Sequence, residues 1–165
     1  MKKMTQAELD QVLQQHALWL QSNGDQGAQA DLSHADLFHT SLSYANLTGA
    51  SLSRADLSGV DLTGANLSRA DLSGAGLYHA NLTGAQLAGV SLSGVSLSHA
   101  NLTGVQISAD TRLHQCSDFR HLTCSPDALP WLILHPKWPE WKSTVTVVED
   151  PVNIGQLSTP KHVAV

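Results

Sequence analysis

From Ala30 to Ala109 the chain repeats one five-residue unit sixteen times in unbroken phase, as in Ala-Asp-Leu-Ser-His, Ala-Asn-Leu-Thr-Gly and Ala-Asp-Leu-Ser-Arg. The third place is Leu from Leu32 to Leu102 and Ile at Ile107; the first place is Ala or Val in every unit except at Thr40. A period of five suits neither ordinary element. On an α-helix each step of five turns about 500°, or about 140° net, which scatters the leucines around the axis. On a straight strand an odd step sends successive leucines to opposite faces. Either way about half of them would face water. The conflict disappears if the chain turns a corner once per unit, so that every third-place Leu points to one central axis. The first-place residue then points inward beside it, and must be small because a narrow interior has no room for a second large side chain.

These A(D/N)LXX units resemble the pentapeptide-repeat family over Ala30 to Ala109. The resemblance implies an all-β solenoid, a right-handed quadrilateral β-helix with four units per coil, and hence about four coils here. Stacked at the strand spacing of about 4.8 Å, four coils make a rod roughly 19 Å long. One coil alone should not fold. Burying a Leu stabilises by about 1.5–3 kcal/mol, while fixing each residue's backbone costs about 1–2 kcal/mol. Stability must therefore come from hydrogen bonding and apolar stacking between neighbouring coils.

The ends of such a rod are raw sheet edges, which recruit other chains unless covered. Residues 1–29 read as an N-terminal helical cap. Thr5-Gln6-Ala7-Glu8 is a capping box, Met4 and Leu9 form a hydrophobic staple, and Leu9, Val12, Leu13, His16 and Leu20 recur at helical spacing. Asn23-Gly24 ends that helix, which is expected over residues 5–22 with Trp19 against the first coil. Residues 110–150 read as a degenerate coil and C-terminal cap. Ser125-Pro126-Asp127-Ala128 starts a short helix, the apolar Trp131-Leu132-Ile133-Leu134 covers the far end, and Thr144 to Val148 form a short strand. Residues 151–165 read as a flexible tail.

The composition narrows the function classes. A net charge of −5 argues against direct nucleic-acid binding, which needs a basic face. Met1-Lys2-Lys3 runs into a polar helix rather than an apolar stretch, so no secretory leader is expected. No segment holds the roughly 20 apolar residues that span a membrane. Two cysteines make no disulfide scaffold. A cytoplasmic bacterial protein is the expectation. Few rings are present in the repeats, as suits an Ala/Leu interior.

Folded at twenty residues per coil, the outward places form columns. Ser33, Ser53, Ser73 and Ser93 line one side; Ser43, Thr63, Thr83 and Thr103 line another. Such hydroxyl ladders read as cross-coil pairs. One side differs: its columns are Phe38, Ser58, Tyr78, Ser98 and His39, Gly59, His79, His99, with Asp36 and Asp56 beside them. Phe38, His39, Tyr78, His79, His99, Asp36 and Asp56 form the candidate interaction face, because exposed rings on a Ser/Thr/Gly surface mark a contact region. Trp131, Trp138 and Trp141 form a candidate docking segment. His114, Cys116, His121 and Cys124 carry zinc-ligand types, but their H-x-C and H-x-x-C spacing matches no strong zinc signature. His79 and His99 stand one coil apart, within reach of a shared metal. The expectation is no metal and no cofactor.

No Ser-His-acid set recurs along the columns, so the chain reads as a non-enzymatic scaffold for an unknown protein partner, with a solenoid end as the place where a second copy would dock. The resemblance also raises a DNA mimic that binds DNA gyrase or a related topoisomerase and protects it from quinolones. Asp31, Asp36, Asp56, Asp61 and Asp71 against Arg54 and Arg69 leave −3 over the coils. Duplex DNA carries about one charge per 1.7 Å, or about 11 over such a rod. A third reading is a secreted effector or assembly component that docks through its Trp-rich segment.

Overall fold

The structure, a computed structural model, describes residues 1–108, 110–111 and 115–148. Every third-place leucine from Leu32 to Leu102 is at most 2% exposed. The first-place residues lie beside them in the same core, with Ala45 the half-buried member. Four parallel ladders join residues twenty apart: Asp31–Ser51–Asp71–Ser91, Asp36–Asp56–Gly76–Ser96, Ser41–Asp61–Asn81–Asn101 and Asn46–Asn66–Gln86–Gln106. Along them the third-place N–H donates to the second-place carbonyl of the next coil, as from Leu32 to Ser51 at 2.8 Å and from Leu52 to Asp71 at 2.7 Å.

The corners follow from the second and fifth places. A second-place Asp or Asn accepts through Oδ1 from the N–H two residues on, as at Asp31–Ser33 (3.0 Å), Asp61–Thr63 (3.0 Å) and Asn101–Thr103 (3.0 Å). This is the local turn that short Asx side chains favour. Every fifth place from His34 to Gly104 then takes a left-handed φ, between 56° and 73°. Glycine adopts it freely, whereas His, Arg and Tyr hold it at a cost of about 1–2 kcal/mol.

At the N-terminus, strand β1 (Lys2–Lys3) pairs in parallel with β2 (Ala35–Asp36), and helix α1 (Gln6–Gln21) follows. Thr5 and Glu8 close the capping box. Gln6 acts as a substitute strand: its Oε1 accepts from the Ser41 N–H at 2.8 Å and its Nε2 donates to the Ser41 carbonyl at 3.1 Å. The side chains that α1 buries completely are Leu9 and His16. Trp19, expected against the first coil, is only half-buried and stacks on His16 at 5.6 Å. A bulky indole does not fit where a core of leucines and alanines ends. The chain leaves the helix through Asn23 (φ 55°) and Gly24 (φ 97°).

Beyond Gln106 the pairing continues with two extra residues in the coil. Ser96 bridges Asp118, and β3 (Asn101–Leu102) pairs with β4 (Thr123–Cys124), which pairs with β5 (Thr146–Val147). The shift puts Phe119, fully buried, in a leucine place beneath Leu97. An aromatic ring therefore does enter the interior, at the end where the core widens. Short helices α2 (Leu129–Leu132) and α3 (Trp138–Trp141) follow. Of the apolar run thought to cover the far end, Leu132 is buried while Ile133 and Leu134 are 54% and 63% exposed. Ile133 and Leu134 follow the last residue of α2 and lie in the turn that leads to α3. The tail expected at 151–165 lies outside the described residues. Among those described, no helix is long and apolar enough to cross a membrane.

Candidate functional site

The fifth-place corner that begins at His39 carries the site. Because each corner repeats after one coil, fifth-place side chains stack at the strand spacing of about 4.8 Å. At other corners a large residue lies over the glycine of the next coil. The Tyr44 ring occupies the space where a Cβ on Gly64 would stand, 2.7 Å from its nearest atoms. This corner also opens over a glycine, Gly59, but beyond it the successive places are themselves rings. His79 stacks on His99 with centroids 4.7 Å apart, and His99 stacks on His121 at 4.5 Å and 17°. Tyr78 stands edge-on to His79 at 4.2 Å and to His99 at 5.3 Å. These side chains are exposed or half-exposed.

His121 was grouped by sequence with cysteines; the two-residue insertion instead brings it into line with His99, and its φ of 56° matches the corner. The described members of the four-residue zinc set do not form a metal-binding group. His114 lies outside the described residues, His121 is on the surface, and Cys116 and Cys124 are buried in the core. Burial pushes their thiols up to about 12 and about 11, far from the thiolate a metal needs. Among the described residues no group of three His, Cys, Asp or Glu side chains is arranged to hold a metal ion. His79 and His99 meet as stacked rings, 28° between their planes.

The rest of the predicted face divides. Phe38 packs on His39 at 3.8 Å and against the open corner at Gly59, so these two rings form a separate cluster two coils away. Ser98 is buried and donates to the Arg120 carbonyl. Asp36 and Asp56 lie on the adjoining flat face, each accepting from the N–H two residues on, at 3.1 and 3.0 Å. At the C-terminal end, Arg120 clasps Asp118 through two nitrogens, Nε to Oδ1 and Oδ2 at 3.1 and 3.2 Å and Nη2 to Oδ2 at 2.7 Å, and lies 5.9 Å over the Trp141 ring. The Arg120 bonds hold the Asp118 carboxyl below its usual range. The His99 pKa is also lowered, first by loss of water and then by the imidazoles of His121 and His79.

Trp138 and Trp141, offered above as a docking segment, are half-buried against Phe119, at 6.1 and 5.0 Å. The side chain of Trp131 lies outside what is described. The hydroxyl ladders also differ from expectation. Each Thr donates to its own Asx, at 2.6 Å in Thr63–Asp61, Thr83–Asn81 and Thr103–Asn101. The links between coils run through asparagine: Asn81 Nδ2 to Thr63 Oγ1 at 2.9 Å and Asn101 Nδ2 to Thr83 Oγ1 at 3.1 Å. In the serine column the cross-coil contact is Ser73 to Ser91, at 2.7 Å.

A family model of pentapeptide repeats matches residues 30–69 and 70–108, in eight copies. Through these repeats the chain belongs to the pentapeptide-repeat family, whose architecture is the right-handed quadrilateral β-helix. Among solved structures, Rfr23, a pentapeptide repeat protein from the cyanobacterium Cyanothece 51142, is 39% identical over 50% of this chain and 59% of its own, with a TM-score of 0.31. A pentapeptide repeat protein of the Arabidopsis thaliana thylakoid lumen is 34% identical over 52% and 63%, with a TM-score of 0.30. QnrB1, a plasmid-mediated fluoroquinolone resistance protein, is 18% identical over 77% and 68%, with a TM-score of 0.43. The chain thus spans less than two thirds of the length of the first two, at 59% and 63%. No curated protein sequence matches it.

Proposed function

We propose that the chain is a non-enzymatic scaffold that binds a protein partner through the ring-bearing corner of a rigid rod. The rod would comprise about four coils over residues 30–109, capped by residues 1–29 and 110–150. The observation that carries the reading is the stack of Tyr78, His79, His99 and His121. His79, His99 and His121 sit where the backbone favours glycine, and among the described residues none of the four side chains makes a hydrogen bond to the scaffold; all are exposed or half-exposed. Left-handed non-glycine residues are a cost that a scaffold alone does not need, and rings of this kind serve as contact anchors. Substituting Tyr78→Ser and His99→Gly borrows residues already present in the same columns, so the rod should persist. Cross-linking in the native host should then lose the partners that the wild type captures. The same partners at the same yield would retire this face.

The gyrase-directed DNA mimic is weakly supported by charge. The second-place acids end at Asp71 along the repeats, and Arg54 and Arg69 offset two of them. No inhibition or protection in a supercoiling assay at micromolar protein is the expected result.

A further inference from the structure

Both ends of the rod hold a buried histidine in the same setting. His16 on α1 is 0% exposed, and His135, between α2 and α3, is 7% exposed. Each ring stacks on a tryptophan: His16 on Trp19 at 5.6 Å and 12°, His135 on Trp141 at 5.2 Å and 27°. Each Nδ1 accepts a backbone N–H, from Ala30 at 3.1 Å and from Lys137 at 2.9 Å. The proton of each neutral ring must therefore sit on Nε2. His135 Nε2 donates it to the Cys116 carbonyl at 2.7 Å. His16 Nε2 faces the Thr48 backbone without a bond of good geometry. Each ring thus ties an end segment to the repeat or to the coil that follows it.

We propose that His16 and His135 are acid-opened latches, which hold the two end segments on the rod while neutral and release them once protonated. The inference rests on reading those segments as caps. Protonating Nδ1 turns the acceptor of the Ala30 or Lys137 N–H into a second donor, so that bond is lost. At His16 it is the tie to the repeat itself. At His135 it is a bond within the end segment; the Nε2 bond to Cys116 survives, and release there follows from the buried charge. Protonation places that charge in an apolar site, which is costly without a partner. Around His16 the packed groups are the Ala30 and Thr48 backbones and the Trp19 ring, and no carboxylate compensates. Around His135 they are the Cys116 carbonyl, the Phe119 and Trp141 rings, and the Lys137 N–H. Arg120, over Trp141, adds a positive charge that is already paired with Asp118, and the Lys137 ammonium is turned outward to Glu140. Among the described residues, neither site offers an imidazolium a counter-ion. Burial accordingly lowers the His16 pKa. The coils between the ends depend on ladders and leucines that do not titrate in this range.

The test is amide hydrogen exchange on the full chain at about pH 7.5 and about pH 5.5, on either side of the ordinary histidine range, corrected for intrinsic rates. Near-UV circular dichroism of the tryptophans is followed in parallel. Acid should speed exchange in residues 6–21 and 129–141 by at least about tenfold and reduce the tryptophan signal, with coil amides between Leu52 and Leu82 still protected. His16→Asn with His135→Asn keeps an acceptor oxygen near each Nδ1 that cannot be protonated, and should abolish both changes. The surface histidines His34, His39, His79, His99 and His121 remain in that variant, so their titration cannot imitate the result. End segments equally protected at both pH values, or an unchanged transition in the variant, would overturn the latch. Unprotected end segments at about pH 7.5 would instead overturn the cap reading beneath it. Should the variant not fold, titration of the two rings in the wild type by proton NMR decides. Rings that protonate while the segments stay protected refute the proposal.

Discussion

Two neighbouring columns of the rod use their side chains in opposite ways. On the face that runs through Ser41, Asp61, Asn81 and Asn101, polar groups are consumed by the scaffold. Each Thr hydroxyl donates to the Asx before it, and Thr63 and Thr83 accept from the Asn of the next coil, so Asp61, Thr63, Asn81, Thr83, Asn101 and Thr103 form one directional chain. One corner away, Tyr78, His79, His99 and His121 stack without making a hydrogen bond to that scaffold. Polar chemistry that is already satisfied has nothing left to offer a partner. The contrast separates the part of the surface that builds the rod from the part whose side chains the scaffold leaves unused.

The largest effect should come from removing the platform that both columns share. Leu72 is fully buried, between Leu52 and Leu92 of the neighbouring coils, which are buried too. Leu72→Asp would strand a carboxylate there, at a cost of several kcal/mol. The coils depend on their neighbours, so the rod should unfold as a unit, with the β signal in far-UV circular dichroism lost at room temperature. A normal melt would break the account of the interior. Next in size is the hydrogen-bonded column itself. Asn81→Ala removes the link to Thr63 and the acceptor of Thr83, leaving two half-buried hydroxyls short of a partner. A loss of about 1–3 kcal/mol in denaturant unfolding is expected. A change below about 0.5 kcal/mol, the size of an ordinary surface substitution, would show that this face is no more structural than the histidine corner.

The repeat made most of this architecture legible in advance. A period of five admits one way of burying every leucine, and Leu32 to Leu102 are buried as that argument requires. The capping box at Thr5 and Glu8 was legible for the same kind of reason, since a local hydrogen-bond pattern needs only local spacing. Three features were not. The left-handed fifth place was masked because His, Arg and Tyr share it with Gly, and a mixed column conceals a backbone requirement. His121 belongs to the histidine corner only after two residues are inserted beyond Gln106, so folding the sequence at a fixed twenty put it elsewhere. Trp138 and Trp141 resembled free anchors because their cover, Phe119, fills a leucine place that the fading repeat no longer marks. Periodicity predicts contacts while it lasts, and the site lies across the point where it changes.

A smaller effect of opposite sign should follow at the ring-bearing corner. His99 holds a φ of 60°, a conformation that glycine adopts without strain. His99→Gly should therefore stabilise the rod by up to about 1 kcal/mol, offset in part by the loss of stacking on His79 and His121. For a chain of this size that is a rise in melting temperature of about 2–4 °C at most. Partner capture should fall in the same variant. A marked drop in melting temperature would mean that the stack supports the fold, and the contrast between the two columns would weaken.

The smallest expected effect is the most specific to the stack. His99 has a lowered pKa in the folded rod, because partial loss of water and the neighbouring imidazoles of His121 and His79 disfavour its charged form. A histidine with a depressed folded pKa contributes stability that is fully present above its unfolded value of about 6.5. That contribution is lost as the pH falls from there through the folded value, since the unfolded chain then binds the proton more readily. The sign is fixed even though the rings are solvent-facing, and screening by water and salt keeps the effect small. His16 titrates in the same direction, so the wild type alone cannot isolate the stack. The difference between wild type and His99→Gly can: the gain in melting temperature from the substitution should widen between about pH 7.5 and about pH 5.5, and widen further at low ionic strength. A gap that stays constant with pH would show that the three rings do not sense one another's charge, and that their alignment is a consequence of the corner geometry alone.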